Sequence, residues 1–205
     1  MTTKTREFLI VAFYTKATPY EEEILHLKAD LSHWDLPHRI EKYPNRGSWV
    51  LNCGWKPVFL DKMLLESDGK NLLYLDADAR IRRNPELAAT FQGDLAVYHR
   101  NGELLSGTLL LHSNPRTRQL VRRWCRSQER RRWNWDQRVL DDVLKADRRA
   151  NRPLNVEPLP ASYVKIFDRM PQVVQPVIEH MQASRRFKKS VHLSEPPNRK
   201  MPYPQ

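Results

Sequence analysis

Two carboxylates, Asp76 and Asp78, stand one residue apart at the end of the apolar run Leu72-Leu73-Tyr74-Leu75. Alternate residues of an extended chain share a side, so both can face one pocket. Hard oxygen ligands spaced this way suit a divalent cation, and such cations commonly hold phosphates. The run ahead of the pair reads as a short buried strand, and Ile81 and an Asn84-Pro85 turn follow it. Ligands of open α/β sheets bind just outside the carboxyl ends of the strands, where this strand would deliver both carboxylates. A solvated acidic turn after a core strand is the plainer alternative.

A second stretch carries charge of the other sign. Arg116, Arg118, Arg122, Arg123, Arg126, Arg130, Arg131 and Arg132 crowd together with Glu129 as the opposing acid, and Trp124, Trp133 and Trp135 are interleaved. On a helix, Arg118, Arg122 and Arg126 form one basic stripe. Arginines that meet phosphates, beside aromatics that stack on bases, are a mark of nucleic-acid-binding surfaces. The stretch leads straight into Asp136 and Gln137. A solvated basic helix with core tryptophans would share this pattern.

The 205 residues carry 35 Lys and Arg against 24 Asp and Glu, a net charge of +11. That balance favours polyanionic partners, whether nucleic acid, an anionic membrane surface or a phosphorylated saccharide. The hydrophobic fraction of 40% fits one globular domain with a sizeable core. No apolar stretch reaches membrane-spanning length, and the polar start reads as no signal peptide. Two distant cysteines, Cys53 and Cys125, read as reduced thiols of a cytoplasmic protein.

The elements that must position these residues alternate. Phe8 to Tyr14 reads as a central parallel strand. Thr18-Pro19-Tyr20-Glu21 reads as a helix start with Thr18 as N-cap, and Ile24, Leu27, Leu31 and Trp34 face the sheet from that helix, which stops before Pro37. His38 to Tyr43 is a second strand. Trp49 to Leu65 is helical with breaks near Gly54 and Pro57, and Leu72 to Leu75 is the third strand. Leu95 to His99 and Leu104 to Leu111 follow as strands, the latter interrupted at Ser106-Gly107-Thr108, where backbone can approach a ligand. Arg116 to Arg131 and Asp136 to Ala146 are helices, and the Pro-rich tail from Asn151 holds a strand candidate, Pro176 to Glu179. This order predicts an α/β protein with a doubly wound, mostly parallel sheet in a single domain.

With this layout, the Asp76-Ala77-Asp78 signature resembles that of nucleotide-sugar glycosyltransferases with the GT-A (Rossmann-like) fold. The likeness is closest to members using a UDP- or GDP-sugar with retention of configuration. It spans roughly residues 8 to 192. The resemblance implies a nucleotide-sugar-binding half, 8–112, and an acceptor half with a basic tail, 113–205. It implies that Tyr14 and Thr15 touch the base and ribose of the donor, and that Lys56 lies near the nucleotide or the acidic motif. Asp78 would ligate manganese (Mn2+) or magnesium (Mg2+), with Asp76 shared between metal and ribose. Ser106 and Gly107 would line the sugar pocket. Asp136 and Gln137 would lie beside the anomeric carbon. His180, or its rival His192, would be the third metal ligand, and Arg185 and Lys188 would neutralise the diphosphate.

The acceptor expected from the arginine stretch is DNA carrying a hydroxymethylated pyrimidine, of the kind some bacteriophages sugar-coat, met by Arg118, Arg122, Arg126, Arg130, Arg131, Arg132 and Trp133. An anionic cell-surface glycan such as lipopolysaccharide is the alternative. A non-catalytic nucleic-acid-binding module on a degenerate transferase fold is the second.

Overall fold

Why the chain delivers Asp76 and Asp78 to the carboxyl end of an interior strand follows from how its apolar residues are placed. The computed structural model describes residues 5–67 and 69–186. Within them, the first strand, β1 (Phe8–Thr15), sends Ile10 and Ala12 to one face and Val11 and Phe13 to the other. The strand before the acidic pair, β3 (Asn71–Leu75), is buried at every residue. Both faces of the sheet are therefore covered, as the continuous apolar runs require.

One cover is helix α1 (Tyr20–His33), whose Ile24, Leu27 and Leu31 enter the first core. Its N-terminus differs slightly from expectation. Pro19 occupies the cap position, Thr18 Oγ1 accepts from Tyr20 N at 3.3 Å, and Glu21 reaches back to Ala17 N at 3.0 Å. The other cover holds α3 (Trp55–Glu66), α5 (Pro115–Arg130) and α6 (Asp136–Asp147). Short α2 (Trp49–Cys53) precedes α3, and the break between them is at Gly54 alone. Pro57 causes no break, because it sits in the first turn of α3 where its missing N–H costs nothing. A further short helix is α4 (Leu87–Thr90).

The main sheet adds β2 (His38–Tyr43), β5 (Leu95–Arg100), β6 (Glu103–His112) and β7 (Val156–Pro158) in the order β2-β1-β3-β6-β5-β7. β6 alone runs against its neighbours β3 and β5. It is not interrupted at Ser106-Gly107-Thr108. The small residues are accommodated within an unbroken strand, and the irregularity is a register shift between Ala96 and Tyr98 of β5. Asn101 and Gly102, at φ 50° and 80°, close the β5–β6 hairpin in the left-handed geometry such turns need.

A second, three-stranded sheet joins β4 (Ala79–Ile81), β9 (Ile178–His180) and β8 (Lys165–Ile166). β4 follows the acidic pair directly and pairs antiparallel with β9, so Ala79 lies opposite His180. Helix α1 clamps β4: Asp30 accepts from Ile81 N at 2.8 Å, and Trp34 Nε1 donates to Ile81 O at 3.2 Å.

Candidate active site

The pairings above converge on a cleft of about 410 Å³ at the carboxyl ends of β1 and β3. Tyr14, Thr15, Lys56, Asp76, Asp78, Ser106, Gly107, Asp136, Gln137, His180 and Arg185 all line it. Lys188 and His192 lie outside the described residues.

Asp76 and Asp78 play different structural parts. Asp76 continues the β3–β6 ladder, its N–H donating to Gly107 O at 2.8 Å. Its Oδ1 accepts from the Tyr74 hydroxyl at 2.6 Å and faces Lys56 Nζ at 3.1 Å. Burial raises the Asp76 pKa, with Lys56 pulling against it and Asp78 and Asp136 pushing further up. About a third of the side chain still meets the cleft, so water relieves part of that rise. Asp78 is more enclosed. Its Oδ2 accepts from Ala183 N at 2.8 Å, and its Oδ1 lies 3.7 Å from His180 Nδ1. Burial alone would push Asp78 up, but the His180 contact and the Ala183 N–H outweigh it and hold the carboxyl below its usual range.

The orientation of His180 is set from behind. The Thr108 hydroxyl has one proton, which it donates to Tyr163 O at 2.7 Å. The 2.8 Å contact between Thr108 Oγ1 and His180 Nε2 is therefore a donation from Nε2–H. That leaves Nδ1 facing Asp78 Oδ1. An imidazole nitrogen and a carboxylate oxygen so placed share either a proton or a metal ion. Gly107 completes the arrangement: a Cβ there would come within 3.2 Å of His180 Nδ1 and 3.3 Å of Asp76 Oδ2. The absent side chain thus leaves a space onto which both atoms look. Two carboxylates and an imidazole are a donor set that fits manganese or magnesium, with manganese the better match to the nitrogen. Among the described residues, however, no three His, Cys, Asp or Glu side chains are grouped so that they could hold a metal ion.

Behind the carboxylates lies a buried ionic knot. Lys56, in the first turn of α3, directs Nζ to Asp136 Oδ2 at 2.7 Å, Ser106 Oγ at 3.0 Å and Ser106 O at 3.1 Å, as well as to Asp76. Burial would lower its pKa, yet Asp136 and Asp76 outweigh that and hold it above the usual lysine range. Lys56 therefore lies against the acidic motif, with no donor left for a diphosphate. Asp136 opens α6 but does not cap it. Trp135 holds the cap position, and the Asp136 carboxylate is spent on Lys56 and on the Ser106 hydroxyl at 2.8 Å.

The basic residues divide in two. Arg118 and Arg122 both reach Asp61 of α3, at 3.2 and 3.3 Å, and Arg123 pairs with Asp147 of α6. Arg131 pairs with Asp142 at 2.6 Å. The stripe is thus opposed by acids far away in sequence, and Glu129 is not its counterweight. Arg126, Arg130 and Arg132 have no carboxylate within 4 Å among the described residues, and Arg132 stands over exposed Trp133. Trp124 is core. Arg185 lines the cleft, but Asp168 holds its guanidinium at 2.5 and 3.0 Å.

Tyr20 and Trp49 also line the cleft and were not legible as site residues. Trp49 Nε1 donates to the Tyr20 hydroxyl at 3.0 Å, and the Trp49 ring meets Trp135 edge-on at 5.4 Å. Both lie in helices that present core and surface patterns to a sequence reader.

A mostly parallel sheet carrying one reversed strand, with an acidic pair past the end of β3 and a cleft along the strand ends, has the GT-A architecture of nucleotide-sugar glycosyltransferases. The chain belongs to the nucleotide-diphospho-sugar transferase family, whose model matches residues 41–193. Solved structures share the fold. A glycosyltransferase involved in glycosylation of the major capsid of PBCV-1 superposes with a TM-score of 0.64 at 13% identity, over 91% of this chain and 99% of that one. The glycosyltransferase GlyE of Streptococcus pneumoniae TIGR4, in its apo form, gives 0.52 at 13% identity, over 85% of this chain and 54% of that one. An active-site mutant of LgtC gives 0.51 at 13% identity, over 92% and 97%. No curated protein matches the sequence. Among the described residues no helix is long and apolar enough to cross a membrane.

Proposed function

We propose that this glycosyltransferase acts with manganese or magnesium, moving a sugar from a UDP- or GDP-sugar to a hydroxyl on a polyanion, with hydroxymethylated pyrimidine in DNA as the favoured acceptor. The observation that carries the metal is the facing of His180 Nδ1 and Asp78 Oδ1 at 3.7 Å beside the space left by Gly107. Asp76, Asp78 and His180 would hold the ion. Bound there, a divalent cation would offset charge on the departing diphosphate.

The chain's own groups divide the remaining tasks. Tyr14 and Thr15 flank the base and ribose. Ser106 and Gly107 receive the sugar. Gln137 offers its amide to the anomeric region, while Asp136, held by Lys56 and Ser106, keeps the end of α6 in position. In the transfer, the anomeric carbon–diphosphate bond breaks and the bond to the acceptor oxygen forms. The hydroxyl proton leaves with the nucleoside diphosphate.

The DNA reading rests on Arg126, Arg130, Arg132 and Trp133. α5 follows β6, which runs away from the cleft, so the helix returns toward it; its last turns carry Arg126 and Arg130, and Arg132 and Trp133 follow just beyond its end. Release of nucleoside diphosphate from a panel of UDP- and GDP-sugars, sensitive to EDTA and restored by manganese, is the expected result. Failure to bind or hydrolyse any of them with manganese present would overturn the metal-dependent reading. Nucleoside mass spectrometry of hydroxymethylated and unmodified DNA incubated with the same panel tests the acceptor, and equal transfer to both would sink the modified-base version.

Two lesser predictions arise here. Gly107→Ala is expected to weaken manganese binding about 10- to 100-fold in calorimetric titration. Its stability should stay within about 1 kcal/mol of the parent, because the backbone there needs no glycine. Retention on single-stranded DNA should fall steeply with salt, and Arg126→Gln with Arg130→Gln should reduce the log–log salt slope by roughly 1.4.

A further inference from the structure

The order of strands along the cleft assigns its far end. From β1 through β3 to β6 and β5, the cleft edge carries Tyr14 and Thr15, then Asp76, then Ser106 and Gly107, and finally Arg100 of β5. β6 overshoots the end of β3 by residues 103–106, about 13 Å of strand, so the β5–β6 hairpin stands as a wall there. A donor laid along that edge, base on Tyr14 and sugar on Gly107, leaves the space under the hairpin to the acceptor.

That space has a cationic rim and an apolar floor. Arg100 Nη2 donates to the carbonyl of Arg169 at 3.2 Å, which brings two arginine residues together at the cleft. Neither has a carboxylate within 4 Å among the described residues. Asp168, next in sequence to Arg169, is taken by Arg185. Glu103 lies opposite Arg100 in the hairpin register and lines the same cleft, but makes no ion pair with it. Leu105, Val164 and Ile166 supply the floor. Two cationic side chains lining one end of a cleft, with no carboxylate within 4 Å among the described residues, favour an oxyanion there. An apolar lining next to it suits the face of a base.

We propose that Arg100 and Arg169 form an acceptor subsite that grips the phosphate attached to the nucleotide being glycosylated, while its base lies over Leu105, Val164 and Ile166. This rests on the DNA acceptor proposed above and adds which groups of the chain select it. The pair is separate from the α5 arginines, which meet the strand farther from the reacting base.

The test compares hydroxymethyl-deoxycytidine and hydroxymethyl-deoxyuridine as nucleosides, as monophosphates and within short single strands, with an acidic oligosaccharide as a further arm. The parent enzyme is expected to favour phosphate-bearing acceptors over nucleosides by about tenfold or more in kcat/KM. Arg100→Gln with Arg169→Gln should erase that preference by raising KM, whereas Arg148→Gln with Arg149→Gln, beyond α6, should keep it. A preference that survives the first variant, or is absent from the parent, overturns the subsite. Donor hydrolysis with no transfer to any pyrimidine, or transfer to the acidic oligosaccharide alone, overturns the subsite and the DNA acceptor together and leaves the transferase standing. Equilibrium binding of the same compounds without donor gives a readout free of turnover. The phosphate-bearing ones must bind the parent about tenfold tighter than the nucleosides and lose that advantage in the first variant, or the subsite fails.

Discussion

Asp78→Ala is expected to lower sugar transfer by two to three orders of magnitude, the usual effect of removing one main stabiliser of developing charge. Its retention on DNA should stay within about twofold of the parent, because the α5 arginines are untouched. The alanine variant alone is ambiguous, since Asp78 also supports structure. Its Oδ2 accepts from Ala183 N at 2.8 Å, and its carbonyl accepts from Met181 N at 3.1 Å. Losing the first bond loosens the segment that carries Gln182 and Arg185 to the cleft. Asp78→Asn separates the two effects. An amide oxygen can still accept from Ala183, so the melting temperature should shift by only a few degrees. It is a poor ligand and carries no charge, so manganese-dependent donor hydrolysis should fall nearly as far as in the alanine variant. An asparagine variant with parental activity at parental manganese concentration would remove Asp78 from the metal site.

Which parts of this site a reader of the sequence can reach depends on how local the signal is. Asp76 and Asp78 announce themselves because strand, turn and carboxylates are contiguous. Lys56, Asp136 and His180 are single residues in ordinary contexts, and only their order along a familiar layout singles them out. The small β4–β9–β8 sheet, which brings His180 opposite Ala79, is hidden. Its strands have three, three and two residues, too few to show a period of two. Ser106 and Gly107 read as a break because small polar residues disfavour strands, yet pairing with β3 and β5 overrides propensity. The arginine stretch misleads in the opposite way. Its counter-charges, Asp61, Asp142 and Asp147, belong to other helices, so local charge overstates what reaches solvent. Arg100 and Arg169 are invisible before folding, since only the hairpin and the turn after β8 bring them together.

Lys56→Met is expected to destabilise the fold by about 3–5 kcal/mol, because it strips a buried ion pair of one partner. Side chains of Lys56 and Asp136 are each 5% exposed. Without the ammonium, Asp136 keeps, among the described residues, only the Ser106 hydroxyl for its charge. Asp76 suffers less, since it retains the Tyr74 hydroxyl and a face open to the cleft. For a domain of this size the loss corresponds to a fall in melting temperature of roughly 6–20 °C. Transfer should drop by about 100-fold or more, as α6 no longer holds Gln137 at the cleft and Asp76 loses its partner. The double variant Lys56→Met with Asp136→Leu distinguishes a structural knot from a catalytic one. Replacing both members of a buried pair by apolar groups is often nearly neutral, so it should regain most of the lost stability. Activity should not return, because the pair also fixes Ser106 and the start of α6 beside the cleft. If the single variant melts with the parent, the ionic knot contributes little to the fold. If the double variant recovers transfer together with stability, the knot serves folding alone, and Gln137 holds its place without it.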